Sequence, residues 1–192
     1  RLDPELNAVI TPLFDKARFV AETIASLAHQ QAPPDALVLV DDASTDGSAE
    51  AAEAALAAHA GALAGTRVEL VRRACNGGPG AARNTGLERA DTELVLFLDA
   101  DDRLEPCALG QIRERMDRHD LAMLVLGYAS GPPGEAFPDL ALLAPELEPL
   151  DGDCFLLADP LRAAAHSEFI LGRASNVAVR RRWIGAHLYC TE

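Results

Sequence analysis

Lysine is almost missing from this chain: Lys16 stands alone against sixteen arginines. With alanine and leucine abundant, that skew reads as compositional bias rather than function. Cysteine is scarce as well. Cys75, Cys107, Cys154 and Cys190 lie far apart with no C-x-x-C pair. That spacing argues against zinc and suits reduced thiols in a cytosolic protein. No apolar run approaches the ~18 residues of a membrane span, and no signal peptide is evident. The chain opens at Arg1 rather than methionine, as a fragment of a longer protein would. Positive charge is also in short supply. A net charge of −13 and a pI of about 4.7 exclude nucleic acid and anionic lipid as partners of the surface as a whole. The five histidines, His29, His59, His119, His166 and His187, show no ligand spacing.

What is present is enough for a real core: 192 residues, 49% hydrophobic and 24% charged. Strand and helix patterns alternate through the first two-thirds. "NAVIT" (7–11), "ALVLV" (36–40), "RVELV" (67–71), residues 94–98 and "LAMLVLGY" (121–128) read as strands. Between them, apolar residues at helical spacing run from Ala17 to Ala28. An Ala-rich helix ends near His59, with Ser44, Thr45 or Asp46 as its N-cap. Two further helices end near Arg89 and span 107–119. The alternation predicts an α/β fold, a mainly parallel sheet covered on both faces. From Gly131 to Pro149, five prolines predict a wandering loop. Residues 153–165 read as a helix, and "NVAV" (176–179) as a strand.

Chemistry-bearing residues gather at strand ends, where ligands bind in open parallel sheets. Asp41 and Asp42 follow the second strand. Gly77–Gly80 follow the third, and Asp99, Asp101 and Asp102 follow the fourth. Two charges about 4 Å apart repel by about 1 kcal/mol in water and about 4 kcal/mol near a protein surface. A hard cation such as Mg²⁺ or Mn²⁺, shared with a diphosphate, would offset that cost. A solvated acidic turn, or aspartates favoured at a helix N-terminus, is the alternative. The glycines entering the next helix would let backbone N–H groups approach an anion. They also suit a plain loop, since Gly78-x-Gly80-x-x-Arg83 only half matches a dinucleotide fingerprint.

Four motifs in order resemble the family-2 glycosyltransferases of GT-A fold. They are Pro12-Leu13-Phe14-Asp15, Asp41-Asp42-Ala43-Ser44-Thr45-Asp46, the run Asn76–Gly86 with Ala82-Arg83-Asn84, and Phe97-Leu98-Asp99-Ala100-Asp101-Asp102. The likeness is close over 7–110 and loose over 165–192. It implies a Rossmann-like three-layer α/β/α sandwich. Residues 1–128 would form the nucleotide-sugar half, and 129–192 an acceptor-side segment truncated at its end. By the same resemblance, Pro12 and Phe14 would line a base pocket, and Asp42 would accept a base N–H. Gly77, Gly80 and Arg83 would lie beside the nucleotide. Asp99 would touch ribose or metal, Asp101 would hold Mn²⁺ or Mg²⁺, and Asp102 is a weaker ligand. For Arg83, a structural ion pair within its own helix is the alternative.

The implied activity is metal-dependent, inverting transfer from a nucleotide-diphosphate sugar, by family habit a UDP-sugar, to a glycan, lipid-linked or protein acceptor. The implied location is the cytoplasm, with peripheral association at the inner membrane face as a variant. Two departures stand out. Tyr-Asn has become Phe14-Asp15, and the expected Asp after Glu192 in "CTE" is missing, so the catalytic base is Glu192 or a residue following it. A nucleotide-sugar-binding module without turnover is therefore one alternative. A haloacid-dehalogenase-like phosphatase, with Asp99 as nucleophile, is another, but it needs a downstream lysine and none follows Lys16. Arg180-Arg181-Arg182 suggest a solvated basic patch, or a contact to phosphate or headgroups.

Overall fold

The computed structural model describes residues 3–121, 123–126, 147–151, 154–157 and 177–184. Contacts divide the chain into two compact units, Arg1–Leu124 with Val177–Glu192, and Val125–Asn176.

In the first unit the strands and helices alternate as the sequence pattern requires. They run β1 (Asp3–Leu13), α1 (Val20–Ala28), β2 (Ala36–Asp41), α2 (Ser48–Ala58), β3 (Arg67–Arg72), α3 (Gly78–Arg89), β4 (Thr92–Phe97) and α4 (Ala108–Arg118). The sheet continues through β5 (Met123–Val125), and its last strand in the chain is β8 (Val177–Arg180). The spatial order is β3-β2-β1-β4-β8-β5, with β1, β2, β3 and β4 parallel and β8 antiparallel to β4. The expected mainly parallel sheet is therefore present.

Burial follows position in the sheet. Every residue of β2 and of β4 is buried, as a strand covered on both faces demands. β3, at the edge, is exposed or half-buried throughout. On one face Ala8, Ile10, Val38, Val40, Val95 and Phe97 pack with Ala82, Leu87 and Ala90 from α3 and its C-cap. Strand alternation turns Val9, Leu37 and Leu39 to the other face, and these too have no exposed surface. Helices α1 and α2, which pack on each other, contribute buried Val20, Ile24, Leu27, Ala49 and Ala52.

Gly86 sets how closely α3 approaches. A Cβ there would stand 2.3 Å from Ile10 Cγ2, so only glycine lets the helix lie this tightly on β1. That seating fixes α3, and with it Arg83, relative to the ends of the strands.

In the second unit, β6 (Leu147–Asp151) and β7 (Cys154–Leu157) pair antiparallel. This corrects two expectations: residues 147–149 are not loop, and 154–157 are strand rather than helix. The overlooked signal is the pair Gly152-Asp153 between two runs that can alternate, a hairpin cue that helical spacing obscured. The remainder of 131–165 lies outside the described residues. Among the described residues no helix is long and apolar enough to cross a membrane.

Candidate functional site

The site begins with the register of three parallel strands. Leu13 pairs with Asp41, the Asp42 N–H donates to the Leu13 carbonyl (2.8 Å), and the Leu98 N–H donates to the Ile10 carbonyl (3.0 Å). Phe14, Asp42 and Asp99 consequently leave the sheet at one edge. They open onto a cavity of about 370 Å³, within the span usual for small-ligand sites.

Of the expected residues, Pro12, Phe14, Asp42, Arg83, Asp99 and Asp101 line this cavity. Gly77, Gly80 and Asp102 do not. The start of α3 faces it instead through Gly78 and Pro79, with Asn76 beside them. Phe14 is 42% exposed, an aromatic face left open at the mouth. Glu192 lies outside the described residues.

The loop carrying Phe14 is clasped by the loop after β2. Asp15 takes a left-handed backbone (φ 49°), which Asp and Asn tolerate better than most residues. Its N–H donates to Ser44 Oγ (3.1 Å) and its carboxylate accepts the Thr45 N–H (2.8 Å). The N–H of Lys16 donates to Ser48 Oγ (2.7 Å), and that of Ala17 to Asp46 Oδ2 (3.0 Å). The N-cap of α2 is Gly47 rather than Ser44, Thr45 or Asp46. The three polar residues are spent holding the β1–α1 loop. Hydrogen bonds to Ser48 and to the Ala17 N–H hold the Asp46 carboxyl below its usual range.

Three aspartates answer their charge in different ways. Asp42 is only 2% exposed and is met by the guanidinium of Arg73 and by the Gly77 N–H at 3.1 Å. A Cβ at Gly77 would fall 2.8 Å from the Arg73 guanidinium, so a larger residue there would push that flexible end aside. Asp99 pairs with the buried Arg83 at 2.5 Å, an ion pair that joins α3 to the end of β4. Burial pushes the Asp99 carboxyl above its ordinary value, Arg83 opposes the rise, and Asp102 and Asp101 add to it. Asp101 meets Lys16, whose Nζ lies 2.7 Å from Oδ2. The hydrogen bond to Asp101 is the main reason that the ammonium is held above its usual range.

These are hard oxygen donors, the type that Mg²⁺ and Mn²⁺ prefer. Among the described residues, however, no three His, Cys, Asp or Glu side chains converge as a protein cage for a metal. The set fits the other arrangement, in which one or two carboxylates share a cation with water and substrate phosphate.

The profile of glycosyl transferase family 2 matches residues 8–167. The chain belongs to this family. The phosphatase alternative falls with that match. TuaG of Bacillus subtilis, described as a teichuronic acid biosynthesis glycosyltransferase, is 32% identical over 124 residues, which is 65% of this chain and 47% of that protein. The structure of Staphylococcus aureus TarS residues 1–349 with UDP superposes at a TM-score of 0.57 and 29% identity, over 69% of this chain and 38% of that one. A Pyrobaculum calidifontis mannosyltransferase in complex with GDP-Man and Mn²⁺ shares the fold at a TM-score of 0.55, with 24% identity over 66% and 38% of the two chains. The sheet and these likenesses make the fold GT-A. The chain spans about half the length of TuaG and less of TarS.

Sequence reasoning passed over Lys16 and Arg73, which meet Asp101 and Asp42. For Lys16 the signal was its solitude next to the first family-2 motif; for Arg73 there was none, because its partner is 31 residues away. Only part of the triple arginine is a solvated patch: Arg182 stays half exposed, whereas Arg180 is buried. Arg180 donates to the carbonyls of Leu121 and Met116 and to Asp117, Arg181 to the Leu87 carbonyl, and Arg182 to Asp120.

Proposed function

We propose that this chain carries the donor site of an inverting, metal-dependent glycosyltransferase using a nucleotide-diphosphate sugar, most simply a UDP-sugar. The reading is carried by one observation: Phe14, Asp42, Arg83, Asp99 and Asp101, from four separate motifs, border a single cavity at the carboxyl edge of the sheet. In this reading Phe14 offers its ring to a pyrimidine. The remaining lone pairs of Asp42 accept a base N–H while Arg73 and Gly77 hold the carboxylate in place. Arg83 orients Asp99 toward the ribose or the cation.

Asp101, with Asp99 and more weakly Asp102, would hold Mn²⁺ or Mg²⁺. A bound divalent cation neutralises charge growing on the departing diphosphate. The transfer itself joins the acceptor oxygen to the anomeric carbon as the bond to the diphosphate breaks on the opposite face. The acceptor hydroxyl gives its proton to a carboxylate standing within about 2.6–3.2 Å. Glu192, or a residue following it, is the candidate for that base. The acceptor is a glycan, a lipid-linked sugar or a protein, reached in the cytoplasm or at the inner face of a membrane.

A thermal-shift screen of UDP, GDP, CDP and ADP, each with and without Mn²⁺, tests the reading. UDP with Mn²⁺ should raise the midpoint by about 5–10 °C at a hundredfold excess over Kd. UDP alone should raise it far less. A flat response to every nucleoside diphosphate would count against the donor site.

A further inference from the structure

The chain's single lysine is set in the donor cavity, and its position there has a consequence. Its backbone is pinned twice: the N–H donates to Ser48 Oγ, and the carbonyl accepts the N–H groups of Phe19 (2.9 Å) and Val20 (3.1 Å) as α1 begins. The side chain spans from there to the loop after β4, where Nζ meets Asp101 Oδ2 at 2.7 Å. The Phe19 ring centroid lies 6.0 Å from the ammonium, at the outer limit of a cation–π contact. Lys16 and Asp101 both line the cavity, and both keep more than a third of their side-chain surface open to solvent. The pair is therefore neither a core strut nor a loose surface contact. It joins the loop that carries Phe14 to the loop that carries the acidic run.

We propose that Lys16 is the resident counter-ion of the cation site, occupying Asp101 until a divalent metal displaces it, and thereby weakening the site's hold on metal alone. The inference rests on Asp101 being a metal ligand, as read above. Its physical basis is competition. A divalent ion has to take the same carboxylate oxygen that the ammonium holds, and it also meets the repulsion of a positive charge tethered beside it. A half-exposed ion pair is a modest contact, so it delays metal without barring it. The arrangement neutralises Asp101 as Arg83 does Asp99, which eases the repulsion within the acidic run. It also favours cations that arrive with a diphosphate, whose negative charge gives the displaced ammonium a new partner.

The test is a Mn²⁺ titration without nucleotide, followed by the EPR signal of free Mn²⁺, on the wild type and on Lys16→Met, Lys16→Arg and Asp101→Asn. Melting curves are recorded to check that each variant folds. Lys16→Met should bind Mn²⁺ roughly three- to tenfold more tightly than the wild type. Lys16→Arg, which keeps the charge, should bind like the wild type. A lysine with a merely structural role would produce weaker binding on removal, never tighter. Equal or weaker binding by Lys16→Met, or no binding by either it or the wild type, overturns the inference. Undiminished binding by Asp101→Asn instead overturns the assignment of Asp101 as ligand, so the two failures are distinguishable.

Discussion

The two edges of the parallel sheet use the same side-chain chemistry to opposite ends. At the amino edge, Asp35 accepts the Asn7 N–H (2.9 Å) and pairs with Arg113 of α4 (3.0 Å). Arg180 lies almost wholly inside, among the Met116 and Leu121 carbonyls, Asp117 and Glu93. There the charges bolt helix to strand, and none borders the cavity. At the carboxyl edge, Asp42, Asp99 and Asp101 are likewise each paired with a cation, yet all three face open volume. A paired carboxylate is thus no sign of function by itself. What separates the two edges is the space left beside the pair.

That contrast is breakable. The largest effect should come from Asp42→Ala, which leaves Arg73 and the Gly77 N–H without their acceptor. It should cost about 2–3 kcal/mol in urea denaturation and also abolish measurable UDP binding. Arg180→Ala is its counterpart at the amino edge. It should cost about 2 kcal/mol by the same assay, since it takes the donor from Asp117 and from the Leu121 and Met116 carbonyls, but leave the UDP affinity of the folded fraction unchanged. If Arg180→Ala also destroyed binding while folded, the division of labour between the edges would be wrong.

Gly86→Ala probes the seating that connects the two edges. The added methyl meets Ile10 at 2.3 Å, and overpacking should cost about 1–3 kcal/mol, partly offset by alanine's helix propensity. Differential scanning calorimetry would read it. The smallest effect concerns the loop clasp. Asp46 has a folded-state pKa below its ordinary 3.8, so its contribution to stability is present above that value and is lost as pH falls through the folded pKa. Urea midpoints for wild type and Asp46→Asn should therefore differ at neutral pH and converge in acid. A gap that persists at low pH would contradict the clasp.

Much of this was legible in the residues. β2 and β4 announce themselves as unbroken apolar runs because both their faces are covered, and such a run needs no partner information to be recognised. The acidic and glycine-rich turns were legible for a related reason: parallel connectivity sends every strand's carboxyl end to the same rim. What stayed hidden depends on contacts across sequence distance. Lys16 and Asp101 are 85 residues apart, and Arg180 meets Met116 across 64. No local pattern encodes either pairing. The β6–β7 hairpin was missed because short apolar runs fit helical and strand periods equally well. Gly86, by contrast, was readable only as part of a motif; its physical role emerges once Ile10 is seen beneath it.

The central claim is that the cavity at the carboxyl edge takes a nucleoside diphosphate together with a divalent cation held by Asp101. Isothermal titration of UDP into the wild type and Asp101→Asn, each with Mn²⁺ and with EDTA, tests it most directly. The account predicts that Mn²⁺ tightens UDP binding at least tenfold in the wild type and leaves Asp101→Asn unchanged. Equal Mn²⁺ enhancement in both proteins would contradict it.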